Sequence, residues 1–172
     1  ASTNRAINLL DATNATITNN SGAIISSATG NTINGAINDG SVSGNTITNS
    51  GTIYATSGVA VRFYNNSTST TITNNSGGVI YNNSTDETIR LGGSSTLTNA
   101  GKIENKKDPS KDAIDIEGNS STITLKDGGI VIGKIRSAGT SNTLKIQHGV
   151  GQSYFYETAG NDMTLQDLDG NQ

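Results

Sequence analysis

Along this chain polar and apolar residues alternate in short runs, most of them closed by an asparagine and then a glycine. Thr16-Ile17-Thr18-Asn19 returns as Thr46-Ile47-Thr48-Asn49 and Thr71-Ile72-Thr73-Asn74, with weaker copies Thr96-Leu97-Thr98-Asn99 and Thr122-Ile123-Thr124-Leu125. A period of two belongs to a strand with one covered face. The starts at 16, 46, 71, 96 and 122 lie 30, 25, 25 and 26 residues apart. A second motif runs in phase: Ala6-Ile7-Asn8-Leu9, Ala60-Val61-Arg62-Phe63, Thr88-Ile89-Arg90-Leu91 and Ala113-Ile114-Asp115-Ile116. A third follows, in Ala23-Ile24, Thr52-Ile53, Gly78-Val79, Lys102-Ile103 and Gly129-Ile130. Three short strands in each period of about 25 residues predict an all-β fold, a right-handed three-sided parallel β-helix or β-solenoid. About six coils, stacked at ~4.8 Å, predict a rod roughly 30 Å long.

Alternation assigns the faces. Ile17, Ile47, Ile72, Leu97 and Ile123 are the expected core stack. Asn19, Asn49, Asn74 and Asn99 share their inward direction where the chain turns, and buried amides need partners, so they are expected to bond one another along the axis. The glycines that follow are expected to supply positive φ at the bends. Thr16, Thr18, Thr46, Thr48, Thr71, Thr73, Thr96 and Thr98, continued by Thr122 and Thr124, form an expected outward two-column array. Arg62, Arg90 and Asp115 take equivalent outward positions in successive coils, which predicts an exposed Arg90–Asp115 ion pair.

The repeat is not uniform. The step from 16 to 46 holds an extra Thr32-Ile33, so the second coil is either irregular or doubled. Lys106-Lys107-Asp108-Pro109-Ser110-Lys111 is a polar insertion expected to bulge as a loop. Residues 1–150 are assigned to the β-helix. Residues 151–172, with Tyr154-Phe155-Tyr156 and a polar end, read as a C-terminal cap, a connector or the start of a further module.

Composition agrees with a thin core. Only 31% of the 172 residues are hydrophobic, with two Phe and no Trp, yet net charge is only −3 and there is one proline. Disordered chains are more highly charged and richer in proline. No cysteine is present, so disulfides and thiolate metal sites are excluded. No apolar run reaches the ~18 residues of a membrane-spanning helix, and the charge gives no case for nucleic acid.

Candidate chemistry is sparse. Polysaccharide-cutting β-helices use clustered carboxylates with a basic residue, and Asp108, Asp112, Asp115 and Glu117 with Lys111 or Arg90 are the only such group. In a chain this polar they read better as a solvated face. His148 has no evident nucleophile beside it, and Asp167-Leu168-Asp169-Gly170-Asn171 resembles half a calcium loop without its closing Glu. Sequons such as Asn14-Ala15-Thr16 and Asn66-Ser67-Thr68 follow from composition. No catalytic residue, metal or cofactor is assigned.

At Thr46-Ile47-Thr48-Asn49-Ser50-Gly51-Thr52-Ile53 and its repeats the chain resembles the passenger regions of bacterial autotransporters. Gly129-Ile130-Val131-Ile132-Gly133-Lys134-Ile135, followed by Asn142-Thr143-Leu144-Lys145-Ile146, is similar to the end of such a passenger. The resemblance covers about residues 5–150. It implies a secreted, outer-surface, non-catalytic structural or adhesive segment, meeting a host cell, the matrix or a neighbouring cell through its strand faces, Arg62 and Arg90 included, or its loops. Three other readings stay open: a filament subunit joined head to tail through the solenoid ends, an ice-binding solenoid using the Thr-x-Thr face, and a polysaccharide-degrading enzyme.

Overall fold

The computed structural model describes residues 5–28, 35–40, 43–147 and 156–167, together with Asp169 and Asn171. His148, Tyr154, Phe155, Thr32 and Ile33 lie outside them. The described residues contain no helix.

The first coil runs through β1 (Ile7–Leu9), β2 (Thr16–Asn19) and β3 (Ile24–Ser27), and the second through β4 (Ile37–Asp39), β5 (Thr46–Asn49) and β6 (Thr52–Ala55). The third holds β7 (Val61–Arg62), β8 (Thr71–Asn74) and β9 (Val79–Asn82), and the fourth β10 (Ile89–Leu91), β11 (Thr96–Asn99) and β12 (Lys102–Asn105). The fifth holds β13 (Asp112–Ile116), β14 (Thr122–Leu125) and β15 (Ile130–Ile132). Beyond it β16 (Lys134–Ser137) and β17 (Thr143–Ile146), then β18 (Thr158–Gly160) and β19 (Thr164–Gln166), add two more rungs. Corresponding strands pair in parallel into three sheets: A from β1 to β18, B from β2 to β19, and C from β3 to β15. The chain is a three-sided parallel β-solenoid of five complete coils with two partial ones. The segment read as cap or connector carries β18 and β19, which pair with β16 and β17 in unbroken register.

The second coil is irregular, not doubled. Ile17 pairs directly with Ile47, so the whole 30-residue step is taken in one turn of the solenoid. Its sheet A strand, Ile37-Asn38-Asp39, sits between Ile7-Asn8-Leu9 and Val61-Arg62, a member of the second motif not evident in the sequence repeat. The lysine-rich insertion is a loop between β12 and β13, with Lys106, Lys107 and Lys111 exposed.

Stacking makes the core. Ile47, Ile72, Leu97 and Ile123 are fully buried on successive rungs, and Ile17 on the first rung is partly buried. Sheet C differs from its expected phase: Ile25, Ile53, Ile80, Ile103 and Val131 stack together, while Ile24, Val79 and Ile130 turn outward. The reason is turn length. Between sheets B and C two residues suffice in the second and fourth coils, but four are used in the first, third and fifth. The four-residue turns close with Ala23, Gly78 and Gly129 N–H donating to the carbonyl three residues back, and carry glycine before the closing residue, as at Gly77 with φ 79°.

Not every turn glycine is there for its φ. Gly101 lies outside the positive-φ set, and a Cβ on it would come 2.3 Å from the Gly78 carbonyl oxygen and 2.8 Å from Asn74 Nδ2. Its role is close approach. The left-handed conformation recurs at the corner between sheets A and B, two residues before each of the first six sheet B strands: Asn14, Gly44, Ser69, Ser94, Ser120 and Ser141, with φ between 50° and 76°. Five of these six are not glycine, and short polar side chains tolerate this region best.

Candidate functional site

Three surfaces and three corners account for the residues singled out by sequence. At the corner between B and C the asparagines form a continuous ladder. Asn19 Nδ2 donates to Asn49 Oδ1, Asn49 Nδ2 to Asn74 Oδ1, and Asn74 Nδ2 to Asn99 Oδ1, each at 2.8 Å. Each amide also reaches backbone carbonyls, as Asn74 does to Gly78 and Lys102 at 3.2 Å. The column ends where Leu125 pairs with Asn99, and Asn99 Nδ2 turns to the Ile130 carbonyl at 3.2 Å.

A second polar column, missed in the sequence, lines the corner between A and B. The Asn45 Oδ1 accepts the Ala15 N–H at 2.8 Å, Thr70 Oγ1 donates to Ser95 Oγ at 2.8 Å, and the Ser95 and Ser121 N–H groups donate to Ser121 Oγ and Asn142 Oδ1. Position is constant here but residue type is not, so no motif repeats. At the corner between C and A, Thr88 Oγ1 donates to Asn82 Oδ1 at 2.9 Å, and Asn105 Nδ2 to the Asp86 carbonyl at 2.8 Å. Polar groups thus fill corners that apolar side chains leave open, and each of those named is hydrogen-bonded, as burial demands.

Sheet B presents the threonines. Thr16, Thr46, Thr71, Thr96, Thr122, Thr143 and Thr164 pair rung by rung, and beside them Thr18, Thr48, Thr73, Thr98 and Thr124 give way to Lys145 and Gln166. All are exposed or half-buried. Columns about 6.7 Å apart, repeating every ~4.8 Å, make a flat grid of hydroxyl and methyl groups.

Sheet C carries outward Tyr54 and Tyr81, stacked with ring centroids 5.0 Å apart and planes at 2°. Lys106 from the insertion loop covers Tyr81 at 5.0 Å.

Sheet A carries the charges, and here the expected exposed ladder is corrected. Arg62 is only 8% exposed: its guanidinium lies 4.1 Å from the Tyr64 ring centroid, and burial lowers its pKa. Arg90 and Asp115 are paired neighbours in the sheet, yet their ion pairs go elsewhere. Arg90 Nε bonds Glu87 at 2.5 Å and its Nη1 lies 3.2 Å from Glu117, because these carboxylates flank it where the strands end. Asp115 is 3% exposed and accepts both of its bonds, at 3.1 and 3.0 Å, from Arg136 on the next rung. Burial outweighs that partner and pushes the Asp115 carboxyl up to about 6. Burial also raises Asp112, whereas hydrogen bonds from Ser110 lower Asp108.

The structure therefore does not gather Asp108, Asp112, Asp115 and Glu117 around an open cleft. Asp108 is turned onto Ser110 Oγ at 2.7 Å, and the others belong to the ion pairs and strand of sheet A. Asp167 folds back likewise, accepting Asn171 N–H at 2.8 Å and Nδ2–H at 2.7 Å. Among the described residues no cluster of three metal-ligating side chains occurs, and no helix is long and apolar enough to cross a membrane. No family model, curated protein or solved structure matches the chain.

Proposed function

We propose that this chain is an extracellular, non-catalytic structural and adhesive segment of a bacterial surface protein. It holds one strand face and a row of loops toward a host cell, a neighbouring cell or the matrix. The observation that carries this reading is the unbroken register of sheet B across seven rungs, with threonine on all seven in one column and on the first five in the other. A rod of stacked coils gives length and rigidity from local contacts alone. A surface repeated along it offers many weak, equivalent contacts that add through multivalency. The test displays the chain on a non-adherent bacterium and measures retention on cell and matrix layers under flow. Retention should rise with display and fall when Thr48, Thr73 and Thr98 all become Glu. Unchanged retention on display, or release of reducing sugar from polysaccharide by the purified chain, overturns the reading.

A second reading has one observation in its favour. Ten threonines in two columns over five rungs form a regular grid that an ordered water lattice can engage, as in ice-binding solenoids. Thermal hysteresis of the purified chain, abolished by Thr73→Lys, is the expected result for it. Its absence leaves the adhesive reading in place.

A further inference from the structure

We infer that Tyr54 and Tyr81 are the site of an oxidative cross-link, a dityrosine bond that joins the second coil to the third. The two residues are direct partners across β6 and β9, and their rings stack with centroids 5.0 Å apart and planes at 2°. The match is built into the fold, because neighbouring rungs lie ~4.8 Å apart and in-register aromatic side chains stack along the axis. Around the pair Thr52 meets Val79 and Ala55 meets Asn82, while the adjacent Ile53 and Ile80 are fully buried. The backbone therefore keeps the two rings opposite one another.

This is the one stacked ring pair among the described residues. Its column holds Ser26 on the rung before and Glu104 on the rung after. Tyr64 packs instead on the Arg62 guanidinium, 4.1 Å from its ring centroid. Tyr54 and Tyr81 are both half-buried on the outer face of sheet C, so solvent reaches them.

The chemistry is the coupling of two phenols. Hydrogen peroxide, acting through a haem peroxidase, takes one electron from each ring, and the phenolic proton of each goes to solvent. A bond then forms between a Cε of Tyr54 and a Cε of Tyr81. The hydrogen on each of those carbons is lost as a proton while the neighbouring Oη regains one, which restores both phenols. The protein has then given up two electrons and two protons, and one peroxide has become two waters. Each ring turns about its Cβ–Cγ bond to bring the Cε edges together, a rotation open to side chains on an outer face.

Lys106 sets the order of oxidation. Its ammonium lies 5.0 Å from the Tyr81 centroid, and a cation over a ring makes removal of an electron harder. Burial first, then Tyr54 and Glu104, also raise the Tyr81 pKa above the ordinary phenol value, so this ring keeps its proton at neutral pH. Among the described residues no cation covers Tyr54, so Tyr54 is oxidised first. Free phenoxyl radicals must meet by diffusion; here the sheet has already brought the partners together. The product closes one coil of chain into a covalent ring and fixes a joint that otherwise rests on hydrogen bonds. Its stabilising effect falls mainly on the unfolded chain, as for other cross-links. None of this depends on what the rod adheres to.

The test treats the purified whole chain, at low concentration, with hydrogen peroxide and a haem peroxidase. The expected product runs as a monomer on a denaturing gel, shows dityrosine fluorescence and melts higher than the untreated chain. Trypsin should release Ala6–Arg62 joined to Phe63–Arg90, lighter by two hydrogens than the separate peptides together. Tyr54→Phe and Tyr81→Phe keep the stacked ring and the fold, checked by circular dichroism, and each should lose the joined peptide entirely. Tyr64→Phe, in the same tryptic peptide as Tyr81, should retain it. No joined peptide from wild type, a joined peptide that persists in either stack variant, its loss in Tyr64→Phe, or cross-links only between chains overturns the inference.

Discussion

Replacing Asn74 by Leu removes the middle of the amide ladder while leaving the core untouched. Two 2.8 Å amide–amide bonds go, one accepted from Asn49 and one donated to Asn99. At about 1 kcal/mol each they amount to about 2 kcal/mol. The 3.2 Å bonds to the Gly78 and Lys102 carbonyls go as well. Gly78 O keeps the Lys102 N–H, so these two add only about 1 kcal/mol. Leucine returns about 1 kcal/mol by burying apolar surface, and Leu125 already fills the equivalent place on the fifth rung. The net loss is about 2 kcal/mol, which in a chain of this size lowers the melting point by roughly 4–8 °C. Asn99→Leu breaks one ladder bond instead of two and should cost less, and the exposed Thr85→Ala should stay within about 0.5 kcal/mol of wild type. Circular dichroism melts of the three variants make the comparison. If Asn74→Leu melts with Thr85→Ala, or no lower than Asn99→Leu, the ladder does not carry the stability assigned to it.

Three further outcomes follow from the corners and the charged face. Ser94 holds φ 50°, so Ser94→Gly should leave stability equal or raise it by up to about 1 kcal/mol, whereas the β-branched Ser94→Val should lower it by more than that, read from urea midpoints. Gly101→Ala puts a methyl 2.3 Å from a backbone carbonyl oxygen and should lower the melting point further than Gly77→Ala, whose Cβ meets nothing within 4 Å but sits at φ 79°. Asp115 titrates near 6 when folded against 3.8 when free, so its contribution is complete below about pH 4 and is lost as pH rises to about 6. Two pH units correspond to about 3 kcal/mol; the stability difference between wild type and Asp115→Asn should shrink by up to that amount from pH 4 to 7, and a difference that grows refutes the assignment.

Sheet B was legible because one residue pattern serves both the core and the surface: Ile17, Ile47 and Ile72 face in while their threonines face out. The Asn ladder was legible for the same reason, since it needs one side chain repeated at one place. The other corners were not. Asn45, Thr70, Ser95, Ser121 and Asn142 do one job with three residue types, so only the backbone reveals that they form a column. Counted from the turn glycine, Ile24, Val79 and Ile130 align with Ile53 and Ile103, but in the four-residue turns that glycine stands three residues after the sheet B strand instead of two, so they turn out. Burial of Arg62 depends on Tyr64 and on the next coil, and the choice of Arg136 over Arg90 for Asp115 depends on where Glu87 and Glu117 come to lie. Partners about 25 residues apart carry no local signature.

The strands run across the rod, so a load applied between its two ends falls on the hydrogen bonds that join one coil to the next, and the joints, each carrying the full load, yield one after another. A coil that lets go releases about 25 residues, or roughly 80 Å of chain, in exchange for about 4.8 Å of rod. The coil behind it keeps its own ladder and core residues, and it meets the load in turn. Under tension such a rod lengthens in steps, each dissipating energy while the remaining coils hold, so a sudden pull is taken up as released chain instead of being transmitted in full.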